Sequence, residues 1–226
     1  MKVKTLITVQ AKDQTTVRWD TPFHAITLLE NLILVVEQNP VNDSTVLVTD
    51  CEDLLQQRHL NGIEVVAMPP NMHAYNFNYL GVAMGRIAME SAMYITVGAD
   101  ADIVFHVDWR LALLTAHCLE RMYHKLLDSP TLPARVVPMQ TEDPGLFTRH
   151  DVKNRFFPVW HAAGMDRQCM PQMYRPAPAC VSYIDRLAQG IPFVQGIDRP
   201  GLELLLVDTP YKLELAAYLK SRRERT

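Results

Sequence analysis

The chain has 226 residues, 48% of them hydrophobic, and 22 basic against 25 acidic side chains leave a formal charge of −3. This length sustains one domain with a sizeable core. The balanced charge excludes the basic footprint of a nucleic-acid surface, and no apolar run approaches membrane-spanning length. Cys51, Cys118, Cys169 and Cys180 show no C-x-x-C spacing, so neither zinc nor a disulfide framework is indicated. The opening MKVKTLITVQAKD turns polar too soon for a signal peptide. A soluble cytoplasmic protein with no nucleic-acid or membrane partner is expected.

Taken in order, Val3 to Val9 reads as a strand, followed by a polar loop from Gln10 to Thr21. Pro22 suits a first helical position, and Phe23 to Gln38 carries an apolar stripe. Thr45 to Val48 is a short strand ending in Thr49-Asp50, and Glu52 to Leu60 a short helix stopped by Asn61-Gly62. Ile63 to Met68 is a third strand, halted by Pro69-Pro70. Asn78 to Tyr94 reads as a helix with Leu80, Ala83, Met84, Ile87 and Met93 on its core face. Ala101 to Arg110 then carries a buried strand, Ile103-Val104-Phe105, of the kind found in parallel sheets. Leu113 to Leu127 is the next helix and Arg135 to Met139 a further strand. Such alternation predicts a three-layer α/β/α fold with a mainly parallel sheet, in one domain spanning 1–226.

Between 141 and 178 the alternation stops. Five prolines there mix with Phe147, Phe156, Phe157, Trp160 and Tyr174. A stretch this long and Pro-rich is expected to serve a function or be buried by a partner, and its aromatic composition suits an interface. It is expected to protrude as an arm that joins two subunits into a homodimer; a wrapping loop is the alternative. After it come a strand at Ala179 to Ile184, a helical turn at Asp185 to Gln189 and a strand at Ile191 to Gln195. Leu204 to Val207 reads as the last strand and Tyr211 to Arg223 as the last helix. Its basic end, Lys220-Ser221-Arg222-Arg223-Glu224-Arg225, suits the helix dipole and is expected to be solvated.

Two of these strands stop at a carboxylate, Asp108 and Asp208. Ligand crevices in open α/β sheets lie beyond the carboxyl ends of the strands. Two such acids would suit a hard divalent cation; alternatively each caps the helix that follows. His106 lies two residues before Asp108, on the same sheet face, either as a satisfied polar residue near the rim or as a substrate contact. Lys12 and Arg18 flank the loop after the first strand, where cations would meet a triphosphate. His117 and His124 fit a solvated helix face. Neither G-x-x-x-x-G-K-[ST], G-x-G-x-x-G nor G-x-S-x-G occurs.

The motifs along the full length resemble the CMP-sugar synthetases, the cytidylyltransferases that activate sialic acid and KDO. Arg167-Gln168-Cys169-Met170-Pro171-Gln172-Met173-Tyr174-Arg175, followed by Ala179 to Tyr183, is similar to a segment of the sialate enzymes. Phe157-Pro158-Val159-Trp160 resembles their Pro-x-Trp turn, and Val46-Leu47-Val48-Thr49-Asp50 their second strand. Val207-Asp208-Thr209-Pro210 resembles the terminal metal-binding turn. His106-Val107-Asp108 falls where the KDO enzymes have Gln-Gly-Asp.

The resemblance implies a nucleotidyltransferase sheet of the glycosyltransferase-A-like type. It further implies a magnesium ion on Asp108 and Asp208, and CTP held by Ala11, Lys12, Thr15 and Arg18. Asp108, Asp208 and Lys12 would serve catalysis, and a sugar acid would meet Arg167, Gln168, Tyr174 and His106. The chain departs from the pattern after the first strand, where the sialate enzymes carry Ala-Arg-Gly-Gly-Ser-Lys: residues 11–21 contain no glycine, and Asp13 adds negative charge. Three readings follow: a divergent synthetase transferring CMP from CTP with release of pyrophosphate, a catalytically impaired ligand-binding or partner subunit, or a glycosyltransferase of related fold.

Overall fold

The strand Val3–Val9 (β1) is buried at every position because it lies between two parallel neighbours, with apolar clusters on both faces of the sheet. Its polar members are buried with partners: Lys4 donates to Asp100, the Thr5 hydroxyl donates to Asn42, and the Thr8 hydroxyl meets His106. The computed structural model describes residues 1–11, 14, 16–69, 93–128, 135–140, 147–150, 155–158, 173–176, 179–188, 194–197 and 202–223.

After β1 come β2 (Pro22–Phe23), β3 (Ile26–Thr27), α1 (Leu28–Glu37), β4 (Ser44–Thr49), α2 (Glu52–Leu55), β5 (His59–Leu60) and β6 (Ile63–Ala67). Then follow β7 (Ile103–Asp108), α3 (Ala116–Leu127), β8 (Arg135–Gln140), β9 (Phe147–His150), β10 (Arg155–Pro158) and β11 (Met173–Pro176). The chain closes with β12 (Ala179–Tyr183), α4 (Ile184–Ala188), β13 (Val194–Ile197) and α5 (Pro210–Arg223).

Strands β6, β4, β1 and β7 run parallel and adjacent, with Thr8 opposite Asp108 and Val9 opposite Thr49. Antiparallel β12 follows, then β8 and β13, which again share the direction of β7. The sheet divides the core in two. Ile7, Leu47, Phe105 and Val107 face α1, α3 and α5, while Leu6, Val48 and Val104 face Met93, Tyr94 and α4. This is the three-layer, mostly parallel α/β fold expected.

The described parts of 141–178 are strands β9, β10 and β11, all antiparallel to their partners. Because β11 pairs with β8 and β10 with β13, the strands β8, β13, β10, β9 and β11 close a ring of pairings. Residues 78–92 of the helix expected at Asn78 to Tyr94 lie outside the described residues; 93–97 are helical.

Four elements differ from expectation. The helix expected from Glu52 to Leu60 ends at Leu55, and His59–Leu60 is the strand β5, antiparallel to β6. The helix expected from Phe23 starts at Leu28, because Thr27 and Glu30 form a reciprocal capping box and Pro22–Thr27 is spent on a small hairpin. The last strand expected at Leu204 to Val207 is a 3-10 turn, Leu202–Leu204, followed by irregular chain. Leu204 and Val207 are buried three residues apart, a spacing that a short apolar run does not distinguish from a strand. The basic end of α5 is docked in part, with Arg222 and Arg223 exposed as expected. Lys220 donates to Asn31 and lies 5.2 Å from the centre of the Phe23 ring, and Arg223 donates to the Leu113 carbonyl at 3.1 Å.

Candidate functional site

Parallel strands that share a register end together, so the loops after β1, β4 and β7 emerge on one edge of the sheet. Hydrogen bonds tie them to one another. The Thr49 hydroxyl donates to the Val9 carbonyl at 2.8 Å, and the Ala11 N–H donates to Asp50 Oδ1 at 2.6 Å. The Thr16 hydroxyl donates to the Asp208 carbonyl at 2.9 Å, and the Val207 N–H to the Arg110 carbonyl at 3.0 Å. The turn bearing Asp208 therefore runs beside both the loop after β1 and the residues after β7.

Asp108 ends β7 and is buried. Its Oδ1 accepts from the Arg110 backbone N–H and from Arg110 Nε, both at 2.9 Å, and its Oδ2 accepts from Arg110 Nη2 at 2.7 Å. The backbone bond is a local turn that an Asp makes two residues ahead; the guanidinium then closes a two-pronged fork. The side chains are 11% and 14% exposed, so this pair is largely shielded from water. Asp208 meets a cation as well: Lys212, one helical turn on, donates to Oδ1 at 2.8 Å. Thr209, not Asp208, caps α5 by accepting from the Lys212 N–H at 3.3 Å.

The other expected site residues fall in several places. Arg18 is exposed, with Nε 3.0 Å from Asp20 Oδ1 and Nη2 3.8 Å from Asp53 Oδ2; its hydrogen bond to Asp20 raises its pKa. His106 is buried, with Nε2 2.9 Å from the Thr8 hydroxyl and Nδ1 2.7 Å from the Tyr94 hydroxyl, which is itself 3.2 Å from Cys180 Sγ. Ala11 is exposed and Tyr174 lies in β11, opposite Phe147. Lys12, Thr15, Arg167 and Gln168 lie outside the described residues. His117 and His124 are exposed, within 3.7 and 3.8 Å of Glu120. Cys51, Cys118 and Cys180 are buried thiols, and burial raises the Cys51 thiol pKa.

Sequence reasoning passed over Arg110, Lys212 and Thr16. Arg110 had a local signal, an Asp-x-Arg at a strand end, and Lys212 the i,i+4 spacing to Asp208. Thr16 had none, since its partner is 192 residues away. A magnesium ion does not fit this donor set as it stands. Both oxygens of Asp108 and one of Asp208 already accept from cations, which a magnesium ion on these oxygens would have to displace.

No family model and no curated protein matches the sequence. Solved structures do match. CMP:2-keto-3-deoxy-manno-octonic acid synthetase complexed with CTP superposes with a TM-score of 0.69 at 12% identity, covering 99% of this chain and 100% of that one. The chain has the cytidylyltransferase fold. A 4-diphosphocytidyl-2C-methyl-D-erythritol synthase shares this fold with a TM-score of 0.57 at 13% identity, over 97% of this chain and 98% of that one. The corresponding synthase of Anaerococcus prevotii gives 0.57 at 11% identity, over 97% and 96% of the two chains. Within the cytidylyltransferase fold of this chain, the edge bearing Asp108, Arg110 and the 207–209 turn is the candidate site.

Proposed function

We propose that the chain is a divergent cytidylyltransferase that transfers CMP from CTP to a sialic-acid-like or KDO-like sugar acid. One observation carries the reading. In a chain with this fold throughout, the ends of β1, β4 and β7 and the turn before α5 are hydrogen-bonded together at one edge, with Asp108 buried there. A hydroxyl oxygen of the sugar acid attacks the α-phosphorus, the bond to pyrophosphate breaks, and the hydroxyl proton passes to water. Lys12, Arg18 and the Ala11–Thr15 backbone hold phosphate oxygens, and Arg110 stands beside them, paired with Asp108. Arg167, Gln168 and Tyr174 orient the sugar acid, and His106 supports the floor beneath Asp108. Because the carboxylates are engaged by Arg110 and Lys212, no step is assigned to magnesium. A dimer through 141–178 belongs to the same proposal.

Incubation with CTP, a divalent cation and a panel of nonulosonic acids and KDO, with release of pyrophosphate as readout, tests it. Pyrophosphate from one acid supports the reading. A second reading, a ligand-binding subunit without turnover, is favoured by the closed Asp108–Arg110 fork and the glycine-free loop 11–21. CTP binding without pyrophosphate would select it.

A further inference from the structure

We infer that Arg110 stands where a divalent cation would sit on Asp108, so that the crevice meets its anionic ligand without a metal on that carboxylate. The inference goes beyond the proposed transfer and holds whether or not turnover occurs.

The geometry of the pair carries it. A hard cation binds a carboxylate through its oxygen lone pairs, and Arg110 takes three of the about four that Asp108 offers. Oδ1 takes two N–H donors at 2.9 Å and Oδ2 takes one at 2.7 Å, from a single residue two positions along. The sequence separation fixes the guanidinium in place, because the Arg110 backbone N–H is already bound to the same oxygen. Planar fork-to-carboxylate pairing is the strongest arrangement that an arginine makes, and shielding from solvent strengthens it further. The Arg110 carbonyl is also held, by the Val207 N–H, so the residue is fixed at both its backbone N–H and its carbonyl.

The second acid obeys the same rule. Lys212 is on Asp208 at 2.8 Å, one helical turn along α5. Each of these two acids has its own cation, so an incoming divalent cation on Asp108 would have to displace a fixed arginine. The Arg110–Asp108 pair is formally neutral, where a divalent cation on Asp108 would leave one positive charge, so the crevice would meet its anionic ligand through N–H donors more than through net charge.

Mn²⁺ titrated into the full-length chain, followed by electron paramagnetic resonance, tests this. Wild type and Asp108→Asn are expected to bind Mn²⁺ alike. Arg110→Gln is expected to gain a site about tenfold tighter or more, and adding Asp108→Asn to it should remove the gain. A wild-type Mn²⁺ site that Asp108→Asn abolishes overturns the inference, as does a folded Arg110→Gln that gains nothing. If Arg110→Gln does not fold, the comparison of wild type with Asp108→Asn decides alone. CTP affinity measured in Mg²⁺ and in EDTA gives the second arm, with values expected within about twofold. A tenfold advantage in Mg²⁺ that Asp108→Asn removes overturns the inference and leaves the transfer reading standing. Absence of CTP binding in both buffers removes the transfer reading, and the Mn²⁺ result then decides the inference by itself.

Discussion

Thr16 and Asp208 are 192 residues apart in the chain, and the hydroxyl of one donates to the carbonyl of the other at 2.9 Å. This bond ties the loop after the first strand to the turn before the last helix, across the mouth of the candidate site. Thr16 is exposed, so Thr16→Val should lower global stability by less than about 1 kcal/mol in a urea titration. The local effect should be larger: faster amide exchange of residues 14–18 and 205–209 together. Unchanged exchange in either segment would show that the bond does not couple them.

Beneath the site, the Tyr94 hydroxyl joins His106 Nδ1 at 2.7 Å to Cys180 Sγ at 3.2 Å. Tyr94→Phe keeps the ring and removes both contacts. A loss of about 1–3 kcal/mol is expected, since buried polar atoms lose partners. A stability within experimental error of wild type would mean that water or a neighbouring group replaces the hydroxyl.

Gly98 closes the 93–97 helical segment, and a Cβ there would lie 2.5 Å from Val104 Cγ2 and 2.6 Å from the Tyr94 carbonyl. The carbonyl is backbone and has little room to retreat. Gly98→Ala should therefore destabilise by about 1–3 kcal/mol, lowering the melting temperature by roughly 2–4 °C per kcal/mol for a chain of this size. A melting temperature at or above that of wild type contradicts the close approach.

At the opposite end of the sheet, Lys2 and Lys4 hold the Asp100 carboxyl well below the usual carboxylate range. A depressed folded pKa favours folding at pH above the unfolded value, and that contribution disappears as acid protonates the group. Asp100→Asn should therefore be less stable than wild type near neutrality, with the gap closing below about pH 4, so that its acid limb is the shallower one. Parallel acid limbs for the two proteins would count against the pairing.

The alternation of strands and helices was legible because it rests on local periodicity: β1, β4, β6 and β7 fall close to where their apolar runs place them. Asp108 at the end of β7 was legible for the same reason. The start of α1 was missed because Thr27 and Glu30 satisfy each other's backbone only once the Pro22–Thr27 hairpin has formed. The turn at 202–207 was misread because burial at Leu204 and Val207 is set by the partners they meet, and not by their own side chains.

By itself, then, the sequence determined the layers of the fold and the residue types at the strand ends, since both depend on near neighbours and on the spacing of apolar side chains. Tertiary structure alone decided the antiparallel direction of β12, the ring through β8 and β11, and the counterion of each acid. Strand direction and strand closure are long-range choices that no local pattern encodes. A carboxylate's partner depends on which donors the folded backbone brings within about 3 Å, and here a lysine and an arginine arrive first.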